Sequence, residues 1–151
     1  MIQVQLNKAD FEYDIHSLVK AFFPSENVSV SAEKKEADEP VSAEVSIDFK
    51  EDGIDVCWKK TDSEASVRHI ESQMCDRLEV KNDLKIGLYD MLVELTGNPL
   101  PWGSLTGIRP TKIPMQLLEQ GKSEAEIAAH MKNTYRTSDE KIELAIDIAK
   151  R

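Results

Sequence analysis

Cysteine is scarce in this chain. Its 151 residues include only Cys57 and Cys75, which the surrounding patterns place on a predicted strand and a predicted helix. Their separation matches no metal-binding or redox motif. Nothing in the first residues resembles a signal peptide, and no apolar run approaches the roughly 20 residues of a membrane span. We therefore expect a reduced, soluble, cytoplasmic protein with no membrane partner.

Positive charge is also in the minority. Lysine and arginine number 19 against 28 aspartates and glutamates, which gives a formal net charge of -9. Much of the excess lies in residues 33–64, where eleven acidic residues face five basic ones. Such a segment repels nucleic-acid phosphates. The composition therefore predicts no nucleic-acid partner.

Acidic residues, in turn, are absent from residues 95–118, the longest such run in the chain, although Arg109 and Lys112 lie there. An anionic ligand or an acidic partner surface would meet least repulsion at this place. The alternative is that a packing loop rich in proline and glycine simply has few charged positions. The charge pattern leaves both interpretations open.

Residues 100–112 form the most unusual segment. They hold two of the six prolines and two of the six glycines, so the backbone is restricted at some points and free to take positive φ at others. A flexible linker gains nothing from a large apolar ring. We therefore expect a loop of fixed shape in which Trp102 and Ile108 are anchored against other residues.

Alternating apolar and polar residues predict four strands. The Asp52-Gly53 dipeptide suits the tight turn of a hairpin between the last two. Helical spacing of apolar residues predicts a helix near residues 11–23 and a long helix, or two, from residue 63 to the stop at Thr96-Gly97. The predicted strands cover residues 2–6, 28–32, 45–49 and 54–58.

Three short helices are predicted after the loop. The first covers residues 111–120, and the pairs Ser123 with Glu126 and Thr137 with Glu140 are capping boxes that open the next two. The fold class is therefore α+β, with a small, mostly antiparallel sheet of about four strands packed by helices. The expected domains are residues 1–97 and a loop with a helical connector at 98–151.

The spacing of residues in the sequence argues against several kinds of binding or catalytic site. Gly121-Lys122-Ser123 resembles the end of a phosphate-binding P-loop, but Gln116 stands where that motif needs glycine. The three histidines, assigned to three predicted helices, have no second ligand at metal-binding spacing, and no carboxylate pair suggests acid–base catalysis. These histidines are His16, His69 and His130.

Residues 117–131 resemble the first part of a bacterial helix-turn-helix domain, with a helix, a glycine turn and a serine cap. The recognition helix would be residues 139–150, which carry four acidic groups against two basic ones. A DNA backbone would repel such a helix. Two well-capped packed helices are the favoured alternative.

Residues 102–112, continued by Leu-Leu-Glu-x-Gly-Lys-Ser at 117–123 and by Thr134-Tyr135, resemble the N-terminal region of HemZ-type coproporphyrinogen dehydrogenases. These are radical SAM proteins similar to oxygen-independent coproporphyrinogen III oxidases. The resemblance implies a parent enzyme of heme biosynthesis that decarboxylates coproporphyrinogen III oxidatively to protoporphyrinogen IX. Its barrel would hold a [4Fe-4S] cluster through Cys-x-x-x-Cys-x-x-Cys and cleave S-adenosylmethionine.

This chain departs from that pattern, because Cys57 and Cys75 cannot form the three-cysteine motif. The resemblance therefore implies a non-catalytic accessory region with no cofactor of its own, and the motif is expected within about 30 residues after residue 151. Its partners would be its own radical SAM domain and a tetrapyrrole substrate, contacted through Trp102, Arg109 and Lys112. The alternative is a protein-interaction domain.

Overall fold

A computed structural model describes residues 1–33, 39–104 and 111–150 of the chain. The chain divides into two compact units, Met1–Thr96 and Gly97–Arg151. The first unit contains strands β1 (Ile2–Leu6), β2 (Val28–Ser31), β3 (Ala43–Phe49), β4 (Gly53–Lys60) and β5 (Ala65–Glu71) with helices α1 (Glu12–Phe22) and α2 (Arg77–Thr96). The second unit contains helices α3 (Lys112–Glu119), α4 (Glu124–Tyr135) and α5 (Asp139–Ala149).

The five strands of the first unit form one mixed sheet in the order β2-β1-β3-β4-β5. Strand β1 pairs in parallel with both β2 and β3, while β3–β4 and β4–β5 are antiparallel. Parallel neighbours need a long crossover, which α1 provides between β1 and β2. The predicted α+β class is confirmed. The sheet is mixed rather than mostly antiparallel, and it has one strand more than the sequence indicated.

One face of the sheet is apolar because alternate residues of each strand point toward α1 and α2. Their side chains form a continuous core with the inward faces of the two helices, and the opposite face of the sheet is polar. The fully buried side chains of this core include Ile2, Val4 and Leu6 of β1, Ile47 of β3, Ile54 of β4, Ile15 and Leu18 of α1, and Leu84, Leu88 and Leu92 of α2.

The hairpin between β3 and β4 has the predicted turn. Phe49 pairs with Ile54 across it, and the Lys50 amide donates to the Gly53 carbonyl over 2.8 Å. The register then continues without interruption to Ala43 opposite Lys60. Asp52-Gly53 was therefore a correct turn signal, as its fit to a short hairpin loop suggested.

The helix predicted to begin at residue 63 is wrong over its first part, since residues 65–71 form strand β5. Val67 and Ile70 have a spacing that a helix would place on one face. In the sheet they lie on opposite faces, with Ile70 8% exposed in the core and Val67 72% exposed. Pairing with β4 decides this segment, and it moves His69 from a predicted helix to a strand and Cys75 to the turn before α2.

The helices of the second unit pack around a core of Ile127, Met131, Ile142, Ala145 and Ile146. The predicted Ser123 cap is confirmed.

The start of α5 differs from the prediction by one residue. Ser138, and not Thr137, caps the helix, because its hydroxyl accepts a hydrogen bond from the Lys141 amide. Thr137 is 2% exposed, and its hydroxyl donates instead to the Trp102 carbonyl. The tertiary contact of Thr137 therefore leaves the capping position to its neighbour.

Candidate functional site

The segment predicted to carry function, residues 100–112, is described at its two ends. Residues 105–110, which include Ile108 and Arg109, lie outside the described residues. Trp102 and Lys112 can be placed, and they have different environments. Trp102 is half-buried beside the core of the helical unit, whereas Lys112 is exposed as the first residue of α3.

The expected anchoring of Trp102 is confirmed. Its side chain packs against the cluster formed by α4 and α5, and the Lys141 ammonium lies 5.7 Å from the centre of its ring. Its carbonyl accepts a hydrogen bond from the Thr137 hydroxyl over 3.4 Å. A ring held by apolar packing and by a cation over its face has a defined orientation.

Backbone hydrogen bonds fix the same end of the loop to the junction of α4 and α5. The Ser104 amide donates to the Tyr135 carbonyl over 2.7 Å, and the Ser138 amide donates to the Pro101 carbonyl over 2.9 Å. Ser104 is 1% exposed, and its hydroxyl also donates to the Tyr135 carbonyl. Paired buried polar groups of this kind hold one geometry, since breaking them would leave unsatisfied donors.

Glycine is required at position 103 for two reasons. Gly103 has a φ of 63°, in the left-handed region, and a Cβ built there would lie 1.8 Å from the Tyr135 carbonyl oxygen. The loop backbone therefore touches the end of α4 directly. The sequence showed a glycine after a tryptophan, but only the fold shows what that glycine approaches.

Lys112 presents its charge at the amino end of α3. The helix dipole is positive at that end, and there is no acidic residue in its first turn. Within the described part of the chain its ammonium has no ion-pair partner. An anionic group would be attracted to this place more readily than a cation.

A second polar cluster, which the sequence did not indicate, lies on the polar face of the sheet. Asp55 of β4 pairs across the strands with His69 of β5. Its Oδ1 lies 2.5 Å from the His69 Nδ1, and its Oδ2 lies 2.6 Å from the Lys50 Nζ. Residues 65–71 were predicted to be helical, and a helical His69 would not have faced Asp55. The cluster was therefore not predicted.

Electrostatics within this cluster favour the charged forms. Hydrogen bonds from Lys50 and then from His69 lower the pKa of Asp55 below its usual range. The hydrogen bond to Asp55 raises the pKa of His69. No serine or cysteine of the described residues bonds to the second ring nitrogen of His69. The arrangement is an ion-pair network, and it lacks the nucleophile that a hydrolytic triad requires.

Among the described residues, no three His, Cys, Asp or Glu side chains form a group that could hold a metal ion. Cys57 is half-buried on β4 and Cys75 is exposed, and neither forms a disulfide. The helices that can be examined in the described ranges include none long and apolar enough to cross a membrane.

Comparison with known proteins gives one partial similarity. The oxygen-independent coproporphyrinogen-III oxidase-like protein HemZ of Bacillus subtilis (strain 168) is 40% identical over 73 residues. The aligned residues are 48% of this chain and 15% of that protein, so the chain matches a small part of its length. Neither a protein-family model nor a solved structure matches the chain. The similarity supports a HemZ-like relationship over about half of the sequence.

Proposed function

We propose that the chain is an accessory N-terminal region of a radical SAM oxidoreductase that resembles the oxygen-independent coproporphyrinogen III oxidases. The observation that carries this proposal is the 40% identity over 73 residues to the HemZ protein. The parent reaction would be the oxidative decarboxylation of coproporphyrinogen III to protoporphyrinogen IX. The two units would contribute to docking or substrate access, and the chemical step would belong to a separate catalytic domain.

The cysteine content supports this division of roles. A radical SAM cluster is ligated by three thiolates in the order Cys-x-x-x-Cys-x-x-Cys, whereas this chain has two thiols, Cys57 on β4 and Cys75 in the turn before α2. These residues do not fit the cluster. The catalytic domain would therefore supply both the [4Fe-4S] ligands and the S-adenosylmethionine site.

The loop at residues 100–112 is the proposed contact. Trp102 and Ser104 hold the first part of the loop in one geometry. Lys112, its last residue, presents an exposed ammonium at the start of α3. Arg109 lies between them in sequence, and its guanidinium could pair with a carboxylate in bidentate fashion. A basic segment without acidic residues suits either the carboxylates of a tetrapyrrole or an acidic rim of the catalytic domain.

The gene itself gives the first test. We expect the reading frame after codon 151 to encode Cys-x-x-x-Cys-x-x-Cys within about 30 residues, the scale of a helix end and a short strand. A stop codon in that interval, or a frame without the triplet, would refute the family proposal.

A titration distinguishes the two roles of the loop. The chain is titrated with coproporphyrin while porphyrin fluorescence is followed at low salt. If the loop borders the substrate, Arg109→Ala and Lys112→Ala should each weaken binding about two- to fivefold, as expected for exposed ion pairs. Lys122→Ala is the matched control, since Lys122 is an exposed lysine of the same unit. Absence of binding, or equal binding by all variants, would leave docking as the role of the loop.

A second candidate function, a protein-interaction domain, is favoured by exposed apolar residues on α5. Leu144 and Ile148 are 43% and 41% exposed and lie one helical turn apart. Changing both to glutamine should abolish co-purification with a separately expressed catalytic domain if α5 is the contact. The helix-turn-helix alternative places four acidic side chains on this same helix, and absence of a salt-sensitive gel shift would exclude it.

A further inference from the structure

The first unit contains a partly open pocket that none of the proposed roles uses. It has a volume of about 460 Å³ and lies over the apolar face of the sheet, between the carboxyl ends of α1 and α2. We call it the aromatic pocket; its floor and walls include Phe23, Trp58 and Leu95. Its volume falls in the range of small-molecule sites, about 300–1,000 Å³.

The inner surface of the aromatic pocket is mainly apolar. Trp58 is 5% exposed, and its ring stacks on Phe23 with centroids 5.7 Å apart and an interplanar angle of 23°. Leu95, which is 41% exposed, provides an apolar edge at the end of α2. Because Trp58 is nearly buried and is already stacked on Phe23, the apolar surface open to a ligand ring is that of Phe23 and Leu95.

The rim of the aromatic pocket carries one available charge of each sign. Lys60 and Glu64 flank the turn between β4 and β5, and neither has an ion-pair partner among the described residues. Glu26 also lines the pocket, but it accepts a hydrogen bond of 2.8 Å from the Met1 ammonium. The Met1 ammonium balances the negative charge of Glu26, so Lys60 and Glu64 are the charged groups left to recognise a ligand.

We propose that the aromatic pocket binds a small molecule with a flat aromatic ring, a carboxylate and an ammonium group, the chemistry of a free aromatic amino acid. The ring lies against Phe23 and Leu95, next to the buried Trp58. The carboxylate pairs with Lys60 and the ammonium pairs with Glu64. A ligand with only one of these charges meets one attractive and one repulsive rim residue, so the zwitterion is preferred over either singly charged analogue.

Tryptophan fluorescence provides the test. The chain has two tryptophans, so Trp102→Phe leaves Trp58 as the reporter. Phenylalanine, 3-phenylpropionate and phenethylamine do not absorb at the red edge of tryptophan excitation and differ only in their charged groups. We expect a saturable change with L-phenylalanine and affinities several-fold weaker for the two analogues. The Trp58 indole N–H resonance in the unmodified chain gives the same readout without a substitution.

Two rim variants and one control separate recognition from general charge effects. Lys60→Met should weaken phenylalanine binding about two- to fivefold and make phenethylamine bind better than 3-phenylpropionate. Glu64→Gln should favour 3-phenylpropionate. Lys59→Met removes the same charge from the polar face of the sheet and should change nothing. No saturable response at millimolar phenylalanine, equal binding of the three ligands, or an equal effect of Lys59→Met would overturn the proposal.

Discussion

Replacing Gly87 by alanine should destabilise the first unit, although alanine is the better helix former. Gly87 lies in the middle of α2, where the helix passes directly over β5. A Cβ built there would lie 2.4 Å from the Ile70 Cδ1 and 2.6 Å from its Cγ1. The Gly87 carbonyl also accepts a hydrogen bond from the Arg68 guanidinium over 3.3 Å, which further limits movement of the helix.

Two opposing contributions determine how much Gly87→Ala changes the free energy of unfolding. The helix propensity of alanine over glycine stabilises by up to about 1 kcal/mol. Forcing a methyl group against a packed side chain costs about 1–3 kcal/mol. We therefore expect Gly87→Ala to lower the free energy of unfolding by about 1 kcal/mol. Asn82→Ala, an exposed change in the same helix, should raise it by about 0.5 kcal/mol because only propensity acts there.

Urea unfolding followed by Trp58 fluorescence in a Trp102→Phe background measures the first unit. With a slope of about 1–2 kcal/mol per molar urea, a loss of 1 kcal/mol moves the midpoint by about 0.5–1 M. In an Ile70→Ala background the obstructing atoms are absent, so Gly87→Ala should become stabilising. The reasoning is refuted if Gly87→Ala stabilises the parent chain, or if the double-mutant cycle shows no coupling between the two positions.

Three further outcomes follow from the contacts described above. The NMR-monitored pKa of His69 should lie above its ordinary value of about 6.5 and return toward it in Asp55→Asn. The contribution of His69 to stability is present below about pH 6.5, while Asp55 stays ionised, and is lost as pH rises through the raised pKa. Ser138→Ala should cost the second unit about 1 kcal/mol in urea unfolding, and an unchanged midpoint would argue against its capping role. Gly103→Ala should lower the free energy of unfolding of the second unit by more than about 3 kcal/mol, because its Cβ would overlap a carbonyl oxygen and its φ is left-handed; Trp102 fluorescence would show unfolding at lower urea.

Strands β1, β3 and β4 could be predicted because one buried face imposes a period of two on each of them. Ile2, Val4 and Leu6 show it in β1, and the same alternation continues in β3 and β4. The cap at Ser123 was predictable for a similar reason, since its hydroxyl acts on an amide three residues away. Signals of this kind depend on neighbouring residues only, so they can be identified from the sequence without knowledge of the tertiary structure.

Strand β5 could not be predicted in this way. It is an edge strand with one fully inward apolar residue, Ile70, and its outward Val67 added an apolar position that mimicked helical spacing. The candidate site likewise combines a feature that the sequence predicted with one that depends on the tertiary structure. The anchoring of Trp102 was predicted from its chemistry, whereas its attachment to the Thr137 hydroxyl depends on a residue 35 positions away. The prediction for Arg109 falls outside the described residues.

The sequence by itself determined the α+β class, the hairpin at Asp52-Gly53 and the start of α4 at Ser123, because the hairpin and the cap depend on residues close together in the chain. Only the tertiary structure decided that β1 lies between β2 and β3, since alternation indicates which face is buried but not which strand is the neighbour. It also decided the pairing of His69 with Asp55 and the stacking of Phe23 on Trp58. Those contacts join residues far apart in sequence, and only the packed core brings them together.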